Sequence, residues 1–529
     1  MWKSFLIVLG VVLVSNISKT QDTFNQRVHF SYPAAVLNGL HVLDSCFYTA
    51  GIVIDTVSPS FPAGLVYGKY SHEGELQNYK TFFPENKQLL IWEGDLQAYQ
   101  DGFITSGEVR KDGELCAGLI YLTSDGEVSE LIELSYFFPL HEQNFIKPTR
   151  PAVGLENKVL LPTRERNPVG TNNTETVLQL FDDNGNMLWR KNYGEIHGDW
   201  NDYPNNAVAI DNGFVVGSWL TNGNKVTKDF VTQHYLFAID TTGTVLWDYY
   251  SPVDTLLTQP RALLAEEDGS LIVGSFLGEE FYVNADANGI AWGPAYIYKL
   301  NPPEDIEWTV HFNTPYPVIG QANSLRKIIK VSDGSGYMVA GHYVPPDTGE
   351  GQDIRGWLLK ISSEGDSLWT RQLRFLGANN DDDFQELYDL EETPDGGFLM
   401  CGQITHYNAP PPAQQGWLIK VNEAGCLVPG CDIVATDDPN VNFQVSLSLY
   451  PNPTRSLLYL FLQDAAIAQR ENTELSLVNA AGQIIKNYAA GRIDEVTHIM
   501  PVDDLPAGTY IVQYVANGRV LAAERVIIQ

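Results

Sequence analysis

The sequence predicts an all-β chain in which a seven-bladed β-propeller is followed by a small, Ig-like β-sandwich. The first observation is length, because 529 residues exceed the ~250 to 300 at which a single core stops growing. The second is turn chemistry, since 45 glycines and 29 prolines, with frequent Asp-Gly and Asn-Gly steps, are typical of short strands joined by tight turns. The third is an internal repeat, which sets the number of blades.

The repeat consists of two strand-forming parts. One part is a turn that leads into an apolar strand, as at 211–217 and 268–274. The other is a strand, a glycine turn and a second strand that often carries a tryptophan, as at 236–247. Six turn glycines mark successive copies: Gly74, Gly126, Gly185, Gly243, Gly365 and Gly425. With one more copy turning near Pro303, they predict seven four-stranded blades over residues 21–431.

The seventh copy lacks a sequence for its outer strand, because a Val-Pro-Gly-Cys turn follows Leu427. Residues 24–30 alternate between apolar and polar side chains as a strand does, so we expect them to complete the last blade and close the ring. A tryptophan recurs at the same place in four copies, which favours packing between blades over a binding surface. These residues are Trp189, Trp247, Trp308 and Trp369.

Residues 1–20 are predicted to be a signal peptide. Lys3 precedes an apolar run from Phe5 to Val14, and polar residues follow that run. The run is shorter than the ~20 residues that a membrane span needs. We expect the remainder of the chain to have no transmembrane segment and to be secreted or tethered to a surface.

The charge of the chain disfavours polyanionic partners. Its net charge of -32, from 33 Lys and Arg against 65 Asp and Glu, repels nucleic acid and anionic lipid. Cations, cationic peptides and neutral glycans fit such a surface better. The same acidity also keeps an exported protein soluble, without any role in binding.

Two of the five cysteines lie close together in the sequence. Cys426 and Cys431 flank a Leu-Val-Pro-Gly turn, so we expect them to form a disulfide once the chain reaches an oxidising compartment. No second Cys or His pair with ligand spacing accompanies them, which disfavours a zinc site. The other three cysteines are expected to be buried strand residues.

The composition changes after the repeat region. Residues 432–445 are polar and lack apolar periodicity, which predicts a linker. Residues 446–529 then contain short alternating strands, which predict the small β-sandwich.

The C-terminal unit carries several spaced motifs in a fixed order. It opens with Tyr450, Pro451, Asn452 and Pro453, continues with an Asn-Ala-Ala-Gly turn at 479–482, and closes with a Leu-Pro-Ala-Gly-Thr-Tyr-Ile-Val stretch that contains Gly508 and Tyr510. This unit resembles the type A C-terminal sorting domains of type IX secretion cargo. The alternative is an ordinary Ig-like sandwich with a proline-rich entry.

The resemblance implies a route and a set of partners. Cargo of this kind passes through the periplasm of a Gram-negative bacterium and is recognised by the type IX translocon and its sorting machinery. The domain is usually removed, and the product is released or attached to the outer cell surface.

No local motif for catalysis is present, so an enzyme has no positive support from motifs. The long connections between strands lie on one face of the predicted ring, where insertions build sites. One such connection offers acids, an imidazole and two rings suited to stacking on a sugar or binding a cation. The candidate ligand-binding residues are His197, Asp199, Trp200, Asp202 and Tyr203, with Glu195 beside them. The alternative is a solvated connection between blades.

Calcium is the candidate cofactor. Asp381, Asp382 and Asp383 concentrate three charges that repel one another unless water or a cation separates them. The alternative is simple exposure to solvent.

These observations predict a secreted or cell-surface propeller that binds an extracellular glycan or protein, and they favour a binding protein over an enzyme. The first alternative is a secreted hydrolase or lyase with a site in the funnel of the propeller, its acid and base among Glu195, His197, Asp199 and Asp202. The second alternative is a passive structural surface protein.

Overall fold

The computed structural model describes residues 23–529 except for several stretches. These are 59–60, 92–94, 112–113, 135–137, 140–146, 167–173, 195–199, 223–230, 253–258, 277–294, 313–321, 345–353, 376–382, 407–412, 428–444, 451, 465–472, 480–482, 492–497 and 517–518. The predicted signal peptide and most of the predicted linker therefore lie outside the described residues.

Strand β1 (Phe24–Val28) opens the described chain and belongs to the last of seven blades, which a bridge between Ala34 and Gln414 joins to the first blade in one eight-stranded sheet. Blade 1 contains β2 (Ala34–Val42), β3 (Phe47–Ile54), β4 (Ala63–Tyr70) and β5 (Leu76–Phe82). Blade 2 contains β6 (Gln88–Leu90) and β7 (Gln97–Tyr99), which both pair with β8 (Gly102–Lys111), then β9 (Glu114–Leu122), β10 (Val128–Glu133) and the short β11 (Phe138–Pro139). Blade 3 contains β12 (Lys147–Pro148) and β13 (Ala152–Val153), which both pair with β14 (Val159–Arg166), then β15 (Thr174–Phe181) and β16 (Met187–Asn192).

The remaining blades repeat the same order. Blade 4 contains β17 (Asn201–Ile210), β18 (Gly213–Asn222), β19 (Val231–Asp240) and β20 (Val245–Tyr250). Blade 5 contains β21 (Ala262–Ala265), β22 (Leu271–Phe276), β23 (Ala295–Asn301) and β24 (Asp305–Phe312). Blade 6 contains β25 (Ala322–Lys330), β26 (Tyr337–Val344), β27 (Arg355–Ile361) and β28 (Ser367–Leu373). Blade 7 contains β29 (Asp383–Glu392), β30 (Phe398–His406), β31 (Ala413–Val421) and β1.

The first strand of each blade lies beside the first strand of the next. Contacts join β17 to β21, β21 to β25, β25 to β29 and β29 to β2, so these strands surround a central channel. The prediction of an all-β, seven-bladed propeller is confirmed.

Strand β1 closes the ring as the sequence predicts. It pairs antiparallel with β31, with Phe24 opposite Lys420 and Val28 opposite Gly416. The indole N–H of Trp417 donates to the Asn25 side-chain oxygen at 2.8 Å. The amide of Gln26 also donates to the carbonyl of Gly74 in blade 1, so β1 joins the last blade to the first.

The core lies between blades, and the recurring tryptophans contribute to it. The indole N–H of Trp189 in blade 3 donates to the Thr241 carbonyl in blade 4 at 2.9 Å. That of Trp308 in blade 5 donates to the Ser363 carbonyl in blade 6 at 3.1 Å. All six turn glycines that mark the repeat adopt a positive φ, between 74° and 88°, so each turn is tight enough for such contacts. Both tryptophans thus pack between blades, as expected.

Four innermost strands carry a β-bulge at equivalent places. The pairing register shifts between Leu37 and Gly39 in β2, and likewise in β17, β25 and β29. The extra residues are Asn38, Asn205, Arg326 and Tyr388. Because a bulge re-aims the side chains around it, these shifts govern which groups face the channel.

The C-terminal unit is a separate pair of sheets. Its strands are β32 (Val445–Tyr450), β33 (Leu457–Asp464), β34 (Thr473–Asn479), β35 (Ile484–Gly491), β36 (His498–Pro501), β37 (Gly508–Ala516) and β38 (Arg519–Ile528). One sheet has the order β32-β33-β36 and the other β35-β34-β37-β38. Leu460 from the first sheet and Leu477 and Val512 from the second share one buried cluster, so the sheets face each other as a small sandwich.

Candidate functional site at the channel mouth

The ligand-binding residues expected from the sequence are only partly described. Glu195, His197 and Asp199 lie outside the described residues. Trp200 is half-buried and packs against the cluster shared by blades 3 and 4. Two further candidates, on β17, differ from each other in their surroundings.

Asp202 is fully buried, and its carboxylate accepts a hydrogen bond from the hydroxyl of Ser218. Its neighbour Tyr203 is partly exposed and lines a cavity. Of the candidate residues, the structure therefore places Tyr203 at an open site and Asp202 within the blade.

The predicted calcium residues are also incompletely described. Asp381 and Asp382 lie outside the described residues, and Asp383 is the first residue of β29. Within the described ranges, no group of three or more His, Cys, Asp or Glu side chains is arranged to hold a metal ion. A calcium site at 381–383 stays a prediction.

The cysteines divide into two groups. Cys426 is buried and disulfide-bonded, whereas Cys46, Cys116 and Cys401 are buried free thiols. Cys431 lies outside the described residues, so its pairing with Cys426 stays a prediction.

A cavity of about 160 Å³ opens at the channel where blades 2 to 5 meet. Its charged and polar lining comes from four blades: Glu108, Thr149, Arg164, Tyr203, Asn205, Gln259 and Arg261. The bulge in β17 falls at Asn205, between Pro204 and Asn206. This bulge therefore presents both Tyr203 and Asn205 at the cavity.

Two arginines dominate the electrostatics of this cavity. The guanidinium of Arg164 lies 3.8 Å from the centre of the Tyr203 ring, a cation–π contact. Tyr203 also stacks near Trp219, with ring centres 5.4 Å apart. The carboxylate of Glu108 bonds to Arg110 at 2.9 Å, which offsets its charge. The cavity therefore combines positive charge with an aromatic surface.

A cluster of titratable side chains from blades 6 and 7 lies near the same channel. The hydroxyl of Tyr388 donates to one oxygen of Glu386 at 2.6 Å. The imidazole Nε2 of His342 lies 3.4 Å from the other oxygen of Glu386. The amide of Gln403 donates to the Tyr388 oxygen at 2.7 Å and to Glu386. We call these four residues the channel cluster.

The pKa values of three residues in the channel cluster differ from those in water. Burial lowers the pKa of His342 to about 4, so its imidazole is neutral near pH 7. Burial opposes ionisation of Glu386, but contact with His342, the charge of Arg326 and the hydrogen bonds from Tyr388 and Gln403 outweigh it and lower the pKa of this carboxyl. Burial and the charge of Glu386 raise the pKa of Tyr388 far above its ordinary value, so its hydroxyl keeps its proton.

Two arginines connect the cavity with the channel cluster. Arg150 follows the cavity residue Thr149, and its guanidinium donates to the Tyr388 carbonyl at 3.2 Å. Arg261 lines the cavity, and its positive charge contributes to the low pKa of His342. The cavity and the channel cluster are therefore neighbours at the channel.

A buried ion cluster contains Lys327 and Asp389, which come from blades 6 and 7 as the channel cluster does, together with Asp95 of blade 2. The ammonium of Lys327 lies 3.0 Å from Asp95 and 3.0 Å from Asp389, which come from blades 2 and 7. Asp389 also accepts the backbone N–H of Leu40 in blade 1 at 2.9 Å. Because Lys327 of blade 6 bonds to blades 2 and 7, and Asp389 of blade 7 also bonds to blade 1, this cluster links four blades.

Sequence reasoning did not identify the channel residues. His342, Glu386 and Tyr388 lie within strands, whereas the sequence predicts ligand-binding residues in the connections between strands. One signal was present, because Arg326-Lys327 and Tyr388-Asp389 place polar pairs where an inner strand should alternate. Such a break in alternation indicates a bulge.

The opening motif of the C-terminal unit holds its last strand. The side chain of Asn452 donates to the Arg525 carbonyl at 2.8 Å and accepts the Ile527 N–H at 2.9 Å. The hydroxyl of Tyr510, in β37 that begins at Gly508, donates to the Pro506 carbonyl at 2.9 Å. Tyr450 ends β32, and Pro451 lies outside the described residues. Asn452-Pro453 is a cis peptide bond.

Solved structures with similar folds include two polysaccharide lyases. Polysaccharide lyase Uly1 has a TM-score of 0.42 and 8% identity, with 73% of this chain and 90% of that chain covered. An ulvan lyase bound to -[GlcA(1-4)Rha3S]- has a TM-score of 0.43 and 10% identity, with 76% and 97% covered. A protein of unknown function from Dyadobacter fermentans has a TM-score of 0.37 and 11% identity, with 76% and 100% covered. No curated protein sequence matches the chain.

None of the described segments forms a helix long and apolar enough to span a membrane. Residues 448–529 match the family described as the secretion system C-terminal sorting domain. Asn452, near the start of this region, bonds to β38 at its end. The chain therefore carries a type IX secretion system C-terminal sorting domain, which indicates export to the cell surface or the extracellular space.

Proposed function

We propose that this exported propeller binds an acidic glycan at the cavity of the channel mouth. The observation that carries the proposal is that Arg164, Arg261 and the Tyr203 ring line one cavity, with Arg164 stacked on that ring. Guanidinium groups bind carboxylates and sulfates through paired hydrogen bonds, and an aromatic ring offers a surface to the apolar face of a sugar.

The acidity of the chain as a whole does not oppose this ligand strongly. A net charge of -32 repels an anion over long distances, but physiological salt screens exposed charges beyond about 8 Å. Among the described residues, the charged side chains that line the cavity are Arg164, Arg261 and Glu108, and Glu108 is bonded to Arg110. Local positive charge therefore decides which ligand is favoured, contrary to the expectation drawn from composition.

The size of the cavity favours a chain-like ligand that enters with one unit. Its volume of about 160 Å³ is below the ~300 Å³ of a usual small-molecule site. Asn205 and Gln259 add amide groups that can bond to hydroxyls. An extended glycan would place a charged unit in the cavity and the remainder along the channel mouth.

The test compares polygalacturonate with its fully methyl-esterified form, which has the same backbone without the charge. We expect the acidic polymer to bind more tightly in calorimetry, and Arg164→Gln and Arg261→Gln to weaken that binding at least about tenfold. Arg371→Gln on the outer strand β28 is the matched control and should bind as wild type does.

Equal binding of both polymers, or equal loss in all three variants, would contradict the proposal. Binding of acidic peptides in preference to every glycan on an array would replace the glycan with a protein ligand.

A further inference from the structure

We infer that the channel mouth is also a catalytic site, in which His342 accepts a proton and Tyr388 donates one to cleave an acidic glycan by β-elimination. This inference rests on the proposed function, because the arginine-lined cavity supplies the substrate. It adds a reaction to a site that otherwise only binds.

The geometry places proton-transfer groups next to the anion site. Thr149 lines the cavity, and the next residue, Arg150, bonds to the backbone of Tyr388 at 3.2 Å. Arg261 lines the cavity and lies near enough to His342 for its charge to act on the imidazole. A sugar unit whose carboxylate binds Arg261 therefore lies beside the channel cluster.

The resting protonation states suit the two roles. The neutral imidazole of His342 has a free electron pair for a proton, because burial keeps the ring uncharged. The Tyr388 hydroxyl keeps its proton, because burial and Glu386 disfavour the anion. The cluster thus contains one proton acceptor and one proton donor at the same pH.

The reaction step needs no water, oxidant or further reactant. The imidazole of His342 takes the hydrogen from the carbon next to the uronate carboxylate, and the electron pair of that C–H bond forms a C=C bond. The neighbouring C–O bond of the glycosidic linkage breaks, and Tyr388 gives its proton to the departing oxygen. Arginine at the carboxylate stabilises the negative charge that develops there.

Gln403 and Arg326 offset part of the cost of the Tyr388 anion that this step leaves behind, which burial and Glu386 disfavour. The amide of Gln403 already donates to the Tyr388 oxygen at 2.7 Å. The guanidinium of Arg326 lies 5.3 Å from the centre of the Tyr388 ring. Glu386 contacts both His342 and Tyr388, so it is a positioning residue that also offers a path for the proton to return.

Elimination fits these residues better than hydrolysis by paired carboxylates. A glycosidase needs one carboxyl that is protonated and acts as the acid. In the cavity and the channel cluster the described carboxylates are Glu108, bonded to Arg110, and Glu386, whose pKa is lowered despite its burial. Glu386 is therefore ionised and lacks the proton that a glycosidase acid must supply. Burial raises the pKa of Asp389 to about 7, but its two oxygens are held by Lys327 and by the Leu40 N–H.

The experiment incubates the purified protein with polygalacturonate, alginate, hyaluronan and ulvan and follows two signals. Ultraviolet absorbance reports the new conjugated double bond, and a reducing-end assay reports any cleavage. We expect both signals from at least one polymer. Tyr388→Phe and His342→Gln should each lower the rate at least about 100-fold, as the loss of general acid or base catalysis does.

Tyr193→Phe is the matched control, because its buried hydroxyl also bonds to protein, at 2.7 Å to the Gly243 carbonyl, far from the channel cluster. It should keep wild-type activity. Glu386→Gln should lower kcat with little change in KM, which a general loss of folding would not do. Melting temperatures of all variants separate misfolding from lost chemistry.

Each outcome decides the inference. Binding of acidic polymers without any cleavage overturns catalysis and leaves the proposed function intact. Reducing ends without ultraviolet absorbance overturn elimination in favour of hydrolysis. Absorbance that survives in Tyr388→Phe and His342→Gln overturns the assigned roles, and neither binding nor cleavage overturns both proposals.

Discussion

Trp189 and Tyr388 illustrate which residues a single sequence can place. Trp189 occupies the same position in its copy as Trp308 does, and both donate to a turn in the next blade. Spacing alone predicts this, because a contact made in every copy belongs to the repeat. Tyr388 is a bulged residue in one inner strand, and its partners Glu386 and Gln403 belong to blade 7 alone. The bulge recurs in four blades, but these side chains occur in one blade only, so they leave no periodic signal in the sequence.

Acid should weaken the fold through His342. Burial lowers the pKa of its imidazole to about 4, whereas an unfolded histidine titrates near about 6.5. Between these values the unfolded chain binds a proton that the folded chain does not, so the free energy of unfolding falls as the pH falls. The effect is measured as the free energy of unfolding of wild type minus that of His342→Gln. We expect this difference to fall by up to about 3 kcal/mol between neutral pH and about pH 4.

Urea unfolding of both proteins across this pH range measures the effect. Titrating groups that do not interact with His342 contribute equally to wild type and variant and cancel in the difference, which leaves the contributions of His342 and its neighbour Glu386. A difference that is constant with pH would show that the imidazole is not buried in its neutral form.

At the scale of elements, the sequence predicts the pairing of β1 but not the bulges. The missing outer strand of blade 7 and the alternating residues 24–30 together predict the β1–β31 pairing, which the structure contains. The bulges were not predicted, because an extra residue in a short strand changes its alternation at only one point. The channel residues depend on those bulges, so the site was missed while the strands around it were predicted.

Deletion of residues 21–28 should open the ring. The deletion removes five strand pairs with β31, the Trp417–Asn25 bond and the buried Val28. We expect a loss of more than about 3 kcal/mol in stability, together with aggregation through the exposed edge of β31. Thermal unfolding and size-exclusion chromatography report the two effects.

Deletion of residues 436–443 is the matched control, since it removes the same number of residues from the predicted linker. It should leave the melting temperature of the ring unchanged. Equal stability of the two deletion variants would mean that β1 is not needed for closure.

At the scale of the whole molecule, the sequence predicts the architecture more fully than the site. Seven copies with a common period establish the ring, and spaced motifs establish the sorting domain. The cavity and channel cluster combine Arg164, Arg261, His342 and Tyr388 from blades 3, 5, 6 and 7. Groups so far apart in sequence meet only in the folded ring, and the net charge conceals local positive charge.

The ring and the sorting domain should be stable independently of each other. The buried cluster of the sorting domain contains residues 447 to 528 only, and the clusters of the blades contain none of them. Removal of residues 446–529 should therefore leave the melting temperature and glycan binding of the ring unchanged, within about 2 °C and twofold. The same truncation should abolish export, measured as protein in the culture medium.

Calorimetry on the purified truncated protein and an export assay in the native host check this expectation. A ring that unfolds at a lower temperature after the truncation would show that the two units share stabilising contacts.

The seam formed by β1 has a mechanical consequence. The hydroxyl of Thr23 donates to the carbonyl of Leu427, so the start of β1 lies beside the chain that leaves β31 towards residue 428. A pull on the residues after Leu427 reaches the ring along β31, which is hydrogen-bonded on one side to β30 and on the other to β1. Such a force loads both ladders lengthwise, so several hydrogen bonds resist it at once and do not open one by one. A ring held from this point at a cell surface would thus bear fluid drag at the place where its first and last strands meet.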